Sequence, residues 1–200
     1  MKFRTLLLAG LAAGAFAAPA AAQETTTTRG FVGGHFEVIT AYDKAKASVD
    51  EDENPATPQN SIKSEGTAYG IAGGFDFGGP SVIFGIEGEA MANTNDFCET
   101  GLCLETGRDL YAGGRIGTVL RDSVLLYVKG GYSNQRVHAV VGTGEDRETV
   151  GSTNLDGIRG GVGLEWDTGS ALLVKLEYRY TNYESDFSRH QGLLGLGMRF

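Results

Sequence analysis

Apolar and polar residues alternate with a period of two through eight stretches of this chain. That period is the mark of strands with unlike faces. In the first stretch Val32, Phe36 and Val38 oppose Gly33, His35 and Glu37; in the second Tyr69, Ile71, Phe75 and Phe77 oppose Ala68, Gly70, Ala72, Gly74 and Asp76. The third sets Val82, Phe84 and Ile86 against Gly85, Glu87 and Glu89, and the fourth sets Leu110, Ile116 and Leu120 against Tyr111, Gly113 and Arg115. Val124, Leu126, Val128 and Tyr132 then oppose Tyr127, Lys129 and Ser133, while Ile158, Val162, Leu164 and Trp166 oppose Arg159, Gly161, Gly163 and Glu165. Leu172, Val174, Leu176, Tyr178 and Tyr180 oppose Lys175, Glu177 and Arg179; finally Leu194, Leu196, Met198 and Phe200 oppose Leu193, Gly195, Gly197 and Arg199. Eight strands of about ten residues are expected, the length that crosses a bilayer when tilted.

The connections alternate as well. Gly78 to Ser81, Arg121 to Ser123 and Asp167 to Ser170 are short and carry turn chemistry, whereas 43–66, 93–109, 136–155 and 183–190 are longer and polar. Such alternation predicts an antiparallel up-and-down meander with all tight turns at one end, and an even strand number returns both termini to that end.

Two inversions of this pattern are possible. A soluble ligand-binding barrel places the charged face outside in water; a transmembrane barrel places it inside, because an unpaired charge facing lipid is costly. The polar faces carry Glu37, Asp76, Glu87, Glu89, Glu165 and Glu177 against Arg115, Lys129, Arg159, Lys175, Arg179 and Arg199, six acids and six bases that can pair in a lumen. Three features favour the membrane. The smaller faces are glycine-rich, which suits a lumen just wide enough for side chains. Phe75, Phe77, Trp166 and Phe200 lie toward the short-turn end and Tyr42, Tyr69, Tyr132 and Tyr180 toward the other, as interfacial girdles do. The chain also closes on an alternating strand ending in Phe200.

Composition alone points elsewhere. Hydrophobic residues make up 41%, mean hydropathy is −0.15, and the charge is −8 with a pI near 4.9, values that suit an acidic soluble protein. The acidity argues against nucleic acid as a partner, since phosphate binding needs a basic face. The low hydropathy has another source in a barrel, where only alternate strand residues meet lipid.

The N-terminus reads as an export signal. Lys2 and Arg4 precede an apolar run from Leu6 to Phe16, and Ala20-Ala21-Ala22 gives a small-residue cleavage site. Cleavage after Ala22 leaves a short tail at 23–28 and a barrel domain at 29–200, and removal of Lys2 and Arg4 takes the charge from −8 to −10. In an exported protein, Cys98 and Cys103 read as a local disulfide worth about 2 kcal/mol in the chain-entropy model. Free thiols or a metal site are the alternatives, although no histidine lies close by.

Other motifs carry little chemistry. Asp50 to Asn54 matches the first ligands of a calcium loop, but Pro55 stands where glycine is needed and Ser61 where the bidentate glutamate belongs. A solvated acidic loop is expected there, with loose divalent-cation binding near lipopolysaccharide phosphates as a hypothesis. Ser188, His190 and Asp186 form a conceivable hydrolase set, yet closeness in sequence supplies no geometry. His35 is expected in the lumen near Glu37, and His138 and His190 at the long-connection side. The Gly-x-Gly at 195–197 falls within a strand and implies no phosphate site. No catalytic residue, metal or cofactor is expected.

Taken together, these residues resemble the outer membrane protein beta-barrel domain family, of OmpA-like and opacity-protein type. The resemblance runs from the Gly-Phe-Val-Gly-Gly opening, through Tyr-Gly-Ile-Ala-Gly-Gly-Phe-Asp-Phe and Leu-Tyr-Ala-Gly-Gly-Arg-Ile-Gly, to the closing Leu-Gly-Leu-Gly-Met-Arg-Phe. It implies a role for Phe200 in the signal read by the outer-membrane assembly machinery. With no chain after Phe200, wall anchoring through a peptidoglycan-binding domain is not expected. The expectation is a monomeric all-β, eight-stranded antiparallel transmembrane barrel of a Gram-negative cell envelope, contacting outer-membrane lipids and lipopolysaccharide. Its work would be structural or adhesive through extracellular loops, with a narrow pore as the alternative and a soluble ligand-binding barrel or lipid hydrolase behind that.

Overall fold

A computed structural model describes residues 30–49, 60–93, 96–99, 102–141, 148–183 and 187–200. The expected signal segment at 1–22 and tail at 23–28, the acidic run at 50–55 and Asp186 lie outside them. The described chain is strand throughout its regular structure: β1 (Gly33–Val49), β2 (Asn60–Gly78), β3 (Val82–Asn93), β4 (Asp96–Glu99), β5 (Leu102–Leu120), β6 (Val124–Val141), β7 (Glu148–Asp167), β8 (Leu172–Tyr183) and β9 (Phe187–Arg199).

Apart from β3 and β4, sequential strands pair antiparallel, β1 also pairs with β9, and β3 pairs with β5 to close the sheet. β3 and β4 pair with successive parts of β5, so they form one broken stave. The barrel therefore has eight staves in meander order.

The expected strand length of about ten is too short. Apart from β4, the strands run from 12 to 20 residues. Much of the four long connections is continued wall: β1 and β2 remain paired to Val49 and Asn60, and β6 and β7 to Val141 and Glu148. The reason is physical. Once the wall rises out of lipid both of its faces can be polar, so hydrophobic alternation stops while the backbone ladder goes on.

The pattern's inversion is the transmembrane one. Val38, Ile86 and Leu196 face outward at 62, 63 and 59% exposure, whereas the largest fully buried side chains are Arg159, Arg179 and Arg189. Outward Phe36, Phe75, Phe77, Phe84 and Phe200 circle the short-turn end, and Tyr42, Tyr69, Tyr132 and Tyr180 circle the other.

Inward glycines make room for rings. The Tyr127 ring lies over Gly163, where an added Cβ would meet its Oη at 2.4 Å and Cζ at 2.5 Å. Larger residues there would push the ring off the lumen wall.

The tight turns differ in strain. Ala171 holds φ at 60° in the β7–β8 turn, a left-handed conformation that costs an L-residue about 1 kcal/mol and a glycine far less. Ala171→Gly is expected to stabilise the barrel by up to about 1 kcal/mol, read as a higher urea midpoint in detergent; an unchanged or lower midpoint would show the turn to be relaxed.

Candidate functional site

Among the described residues, buried ionisable side chains converge in the lumen, and alternation puts them there. Every odd-numbered residue of β1, β8 and β9 in the membrane points inward. The barrel then stacks these groups in layers.

At the short-turn mouth Arg115 and Arg199 clamp Asp76 and Glu165. Arg115 donates from Nε to Asp76 Oδ1 at 2.8 Å and from Nη1 to Glu165 Oε2 at 3.1 Å, while Arg199 donates from Nη1 to Asp76 Oδ2 at 2.7 Å and from Nη2 to Glu165 Oε1 at 2.5 Å. Below them Phe31, Ile83, Leu125 and Tyr127 form an apolar cluster, and Arg199 ties Phe31 in place through its carbonyl at 2.7 Å.

Two lysines occupy the middle. Lys175 Nζ lies 2.7 Å from Glu37 Oε1 and 2.9 Å from Glu87 Oε2. Lys129 Nζ lies 2.8, 2.5 and 2.9 Å from carboxylate oxygens of Glu87, Glu89 and Glu177. Tyr127 donates its hydroxyl to Glu177 at 2.6 Å, and the Tyr111 ring lies 4.7 Å from the Lys129 ammonium.

Above them Arg179 donates to Glu89 at 2.5 Å and to Gln191 at 2.8 Å. Arg159 donates to Thr181 at 2.9 Å, Glu89 at 3.3 Å and Asp109 at 2.6 Å. The top layer is Arg189, which donates to Asp109 at 3.2 Å, to Gln135 at 3.3 Å and to Asp43.

All twelve charges expected on the polar faces lie in this lumen, but the even balance of six against six is incomplete. Asp43, Asp109 and Arg189, read from sequence as loop residues, are buried in the top layers. The lumen then holds eight carboxylates against seven guanidinium and ammonium groups among the described residues. Parity was the signal for finding them: Asp43 continues the odd positions of Glu37, and Arg189 those of Arg199. Sequence reading stopped there because the outward face of the wall had become polar.

Buried ion pairs of this kind do not raise stability much over apolar packing, since desolvation offsets attraction. What they do is let groups inside the barrel bind one another across the layers.

His138 and His190 fall in β6 and β9, not in loops. His190 faces outward with Nδ1 2.7 Å from Tyr178 Oη and its ring centroid 4.8 Å from that of Tyr180. Ser188 is two positions away on the same strand, so the imidazole is engaged by tyrosines of the neighbouring β8. Cys98 and Cys103 stand opposite one another in the β4–β5 ladder.

Polar contacts also fix the outer rim. Tyr132 and Asn134 donate to Asp156 Oδ1 at 2.5 and 2.6 Å, and these bonds, the tyrosine's first, hold its carboxyl below the usual range. Glu65 is likewise lowered, by the Tyr42 hydroxyl and then by Lys44.

A closed meander with apolar side chains toward lipid and ion pairs inside is a transmembrane β-barrel of outer-membrane type. The chain belongs to the outer membrane protein beta-barrel domain family, which matches residues 8–200, and its place is the cell outer membrane. It is 26% identical over 141 residues to the 25 kDa outer-membrane immunogenic protein of Brucella ovis, covering 70% of this chain and 67% of that protein. The namesake from Brucella canis is 29% identical over 126 residues, with 62% and 56% covered. Among solved structures, Neisserial surface protein A has the same fold at a TM-score of 0.58 and 16% identity, covering 84% of this chain and 97% of that one. Ail, the attachment invasion locus protein of Yersinia pestis in complex with the heparin analogue sucrose octasulfate, gives 0.52 at 14% identity, covering 84% and 99%.

Proposed function

We propose that this protein is a non-conducting barrel that carries a raised, acidic surface for interaction outside the cell. The observation behind this reading is the lumen: ion pairs occupy successive layers from Arg199 to Arg189, and the apolar cluster around Phe31 lies across the short-turn mouth. A hydrated solute would have to break several buried pairs to pass. In planar bilayers the purified barrel is expected to give no stable single-channel steps. Reproducible open levels in the intact protein would make it a narrow pore instead.

Short turns face the periplasm in such barrels and long connections face outside. The strands that continue past the tyrosine girdle therefore form the exposed part, and the sequence that joins β1 to β2 carries Asp50, Glu51, Asp52 and Glu53. That the Brucella relatives are named immunogenic supports surface presentation. The acidic run favours basic or neutral partners and disfavours sulfated polysaccharides, unlike the ligand in the Ail complex.

Several further assignments belong to this reading. The chain is exported by a leader cleaved after Ala22, works as a monomer among outer-membrane lipids and lipopolysaccharide, and uses no catalytic residue. Cys98 and Cys103 form a disulfide that ties the β4–β5 hairpin, in keeping with their opposed register. Phe200, 80% exposed at the end of the closing stave, takes part in recognition by the assembly machinery. Removing Phe200 is expected to reduce the heat-modifiable, folded fraction in outer membranes several-fold; undiminished assembly would assign the signal elsewhere.

A further inference from the structure

We propose that His35 is a built-in proton-binding site that completes the charge of the lumen as an imidazolium. The geometry is unlike that of an ordinary core histidine, which donates one N–H and accepts at the other nitrogen. Here both nitrogens face carboxylates. Nδ1 lies 3.2 Å from Asp76 Oδ2, and Nε2 lies 3.7 Å from both Glu37 Oε1 and Glu87 Oε2. A neutral ring would point one lone pair at an anion. A protonated ring offers a donor on each side.

The charge inventory asks for the same state. Among the described residues the lumen has eight carboxylates and seven basic groups besides His35. One more positive charge makes it neutral.

Every element near the ring contributes to this balance. Glu37 comes from β1 itself, Asp76 from β2, Glu87 from β3, Arg115 from β5, Lys129 from β6, Glu165 from β7, Lys175 from β8 and Arg199 from β9. The basic groups among these are already engaged: Arg115 and Arg199 with Asp76 and Glu165, Lys129 with Glu87, Glu89 and Glu177, and Lys175 with Glu37 and Glu87. Neither His35 nitrogen has a well-formed hydrogen bond to a protein acceptor, and Glu37 Oε2 has none from a protein donor.

A divalent metal fits less well than a proton. His35, Glu37 and Glu87 could each turn one ligand atom to a common point, but Lys175 Nζ sits between the two glutamates and already serves as their cation. A proton on the imidazole needs no such displacement.

The consequence is linkage to pH. Loss of the proton removes the positive charge facing Asp76, Glu37 and Glu87, so the contribution is complete only below the unfolded-chain histidine value of about 6.5 and is lost as pH rises from there through the folded His35 titration. This inference does not depend on whether the lumen conducts, and conductance is not its test.

The test uses the whole mature barrel refolded in detergent with labelled histidine. Imidazole nitrogen and carbon shifts of His35, assigned by elimination with His138→Gln and His190→Gln, are expected to report imidazolium at pH 7.5. A neutral His35 ring in the folded wild type at pH 6 would overturn the proposal, even if His35→Gln fails to fold. Heat-modifiable migration gives the second measurement. The wild-type midpoint is expected to fall by several degrees between pH 6 and pH 9 relative to His35→Gln, and parallel profiles would count against the proposal.

Discussion

Replacement of Arg159 by methionine is expected to be the most damaging single change in the lumen, lowering stability by about 3–5 kcal/mol. The guanidinium is fully buried and binds Asp109, Glu89 and Thr181 at once, with the Tyr111 ring 5.3 Å away. Methionine fills much of the same space, so packing changes little. The cost arises because Asp109 and Glu89 lose a shared cation where water cannot replace it. Arg189 still reaches Asp109 and Arg179 still reaches Glu89, which keeps the loss within this range. A urea titration of refolded protein gives the magnitude. The double variant Arg159→Met with Asp109→Asn should recover part of it, because one orphaned charge is removed along with its partner. If the single variant matched the wild type, the lumen would have to be wet enough to solvate carboxylates.

Val162→Arg tests the opposite face and is expected to cost about 2–4 kcal/mol. Val162 lies outward on β7 midway between Trp166 and Ile158, opposite Val128 of β6 and Tyr178 of β8. At that depth the guanidinium has no water, and the residues beside it are apolar or aromatic. The penalty should shrink to about 1 kcal/mol or less for an arginine placed at Ile158, close enough to the interface to reach headgroups. Folding equilibria in lipid vesicles would show this depth dependence. Equal effects at both positions would mean that the outward face does not lie across a bilayer as described.

These variants touch the two faces that alternation defines, and they separate what was readable in the chain from what was not. The eight staves and their inward faces were legible, because the pleat sends neighbours to opposite sides whatever else the strand contacts. Leu172, Leu176 and Tyr180 against Lys175 and Arg179 is enough to assign β8. The extent of the wall was not legible. Asp43, Asp109 and Arg189 looked like loop residues because the hydrophobic signal comes from lipid contact, and it ends at the interface while hydrogen bonding between strands does not. The rings around the lumen were only half legible: Tyr127 and Gly163 can both be placed inward, but that the ring lies over the glycine depends on the neighbouring register.

What the amino-acid order determined by itself is local and repetitive: the number of staves, their antiparallel succession, the side on which each residue lies and the end at which the turns are tight. Tertiary structure decided which charges meet. Arg189 and Asp43 are 146 positions apart and come together because β9 pairs with β1, and Lys175 reaches Glu87 across the lumen from a stave that does not adjoin it. It also decided that Phe31 lies beneath the lowest ion pairs and that His35 stands among three carboxylates. The physical reason is that alternation belongs to a single strand, whereas an ion pair depends on closure and stagger of the whole sheet, which set the height at which each inward residue faces those across the lumen.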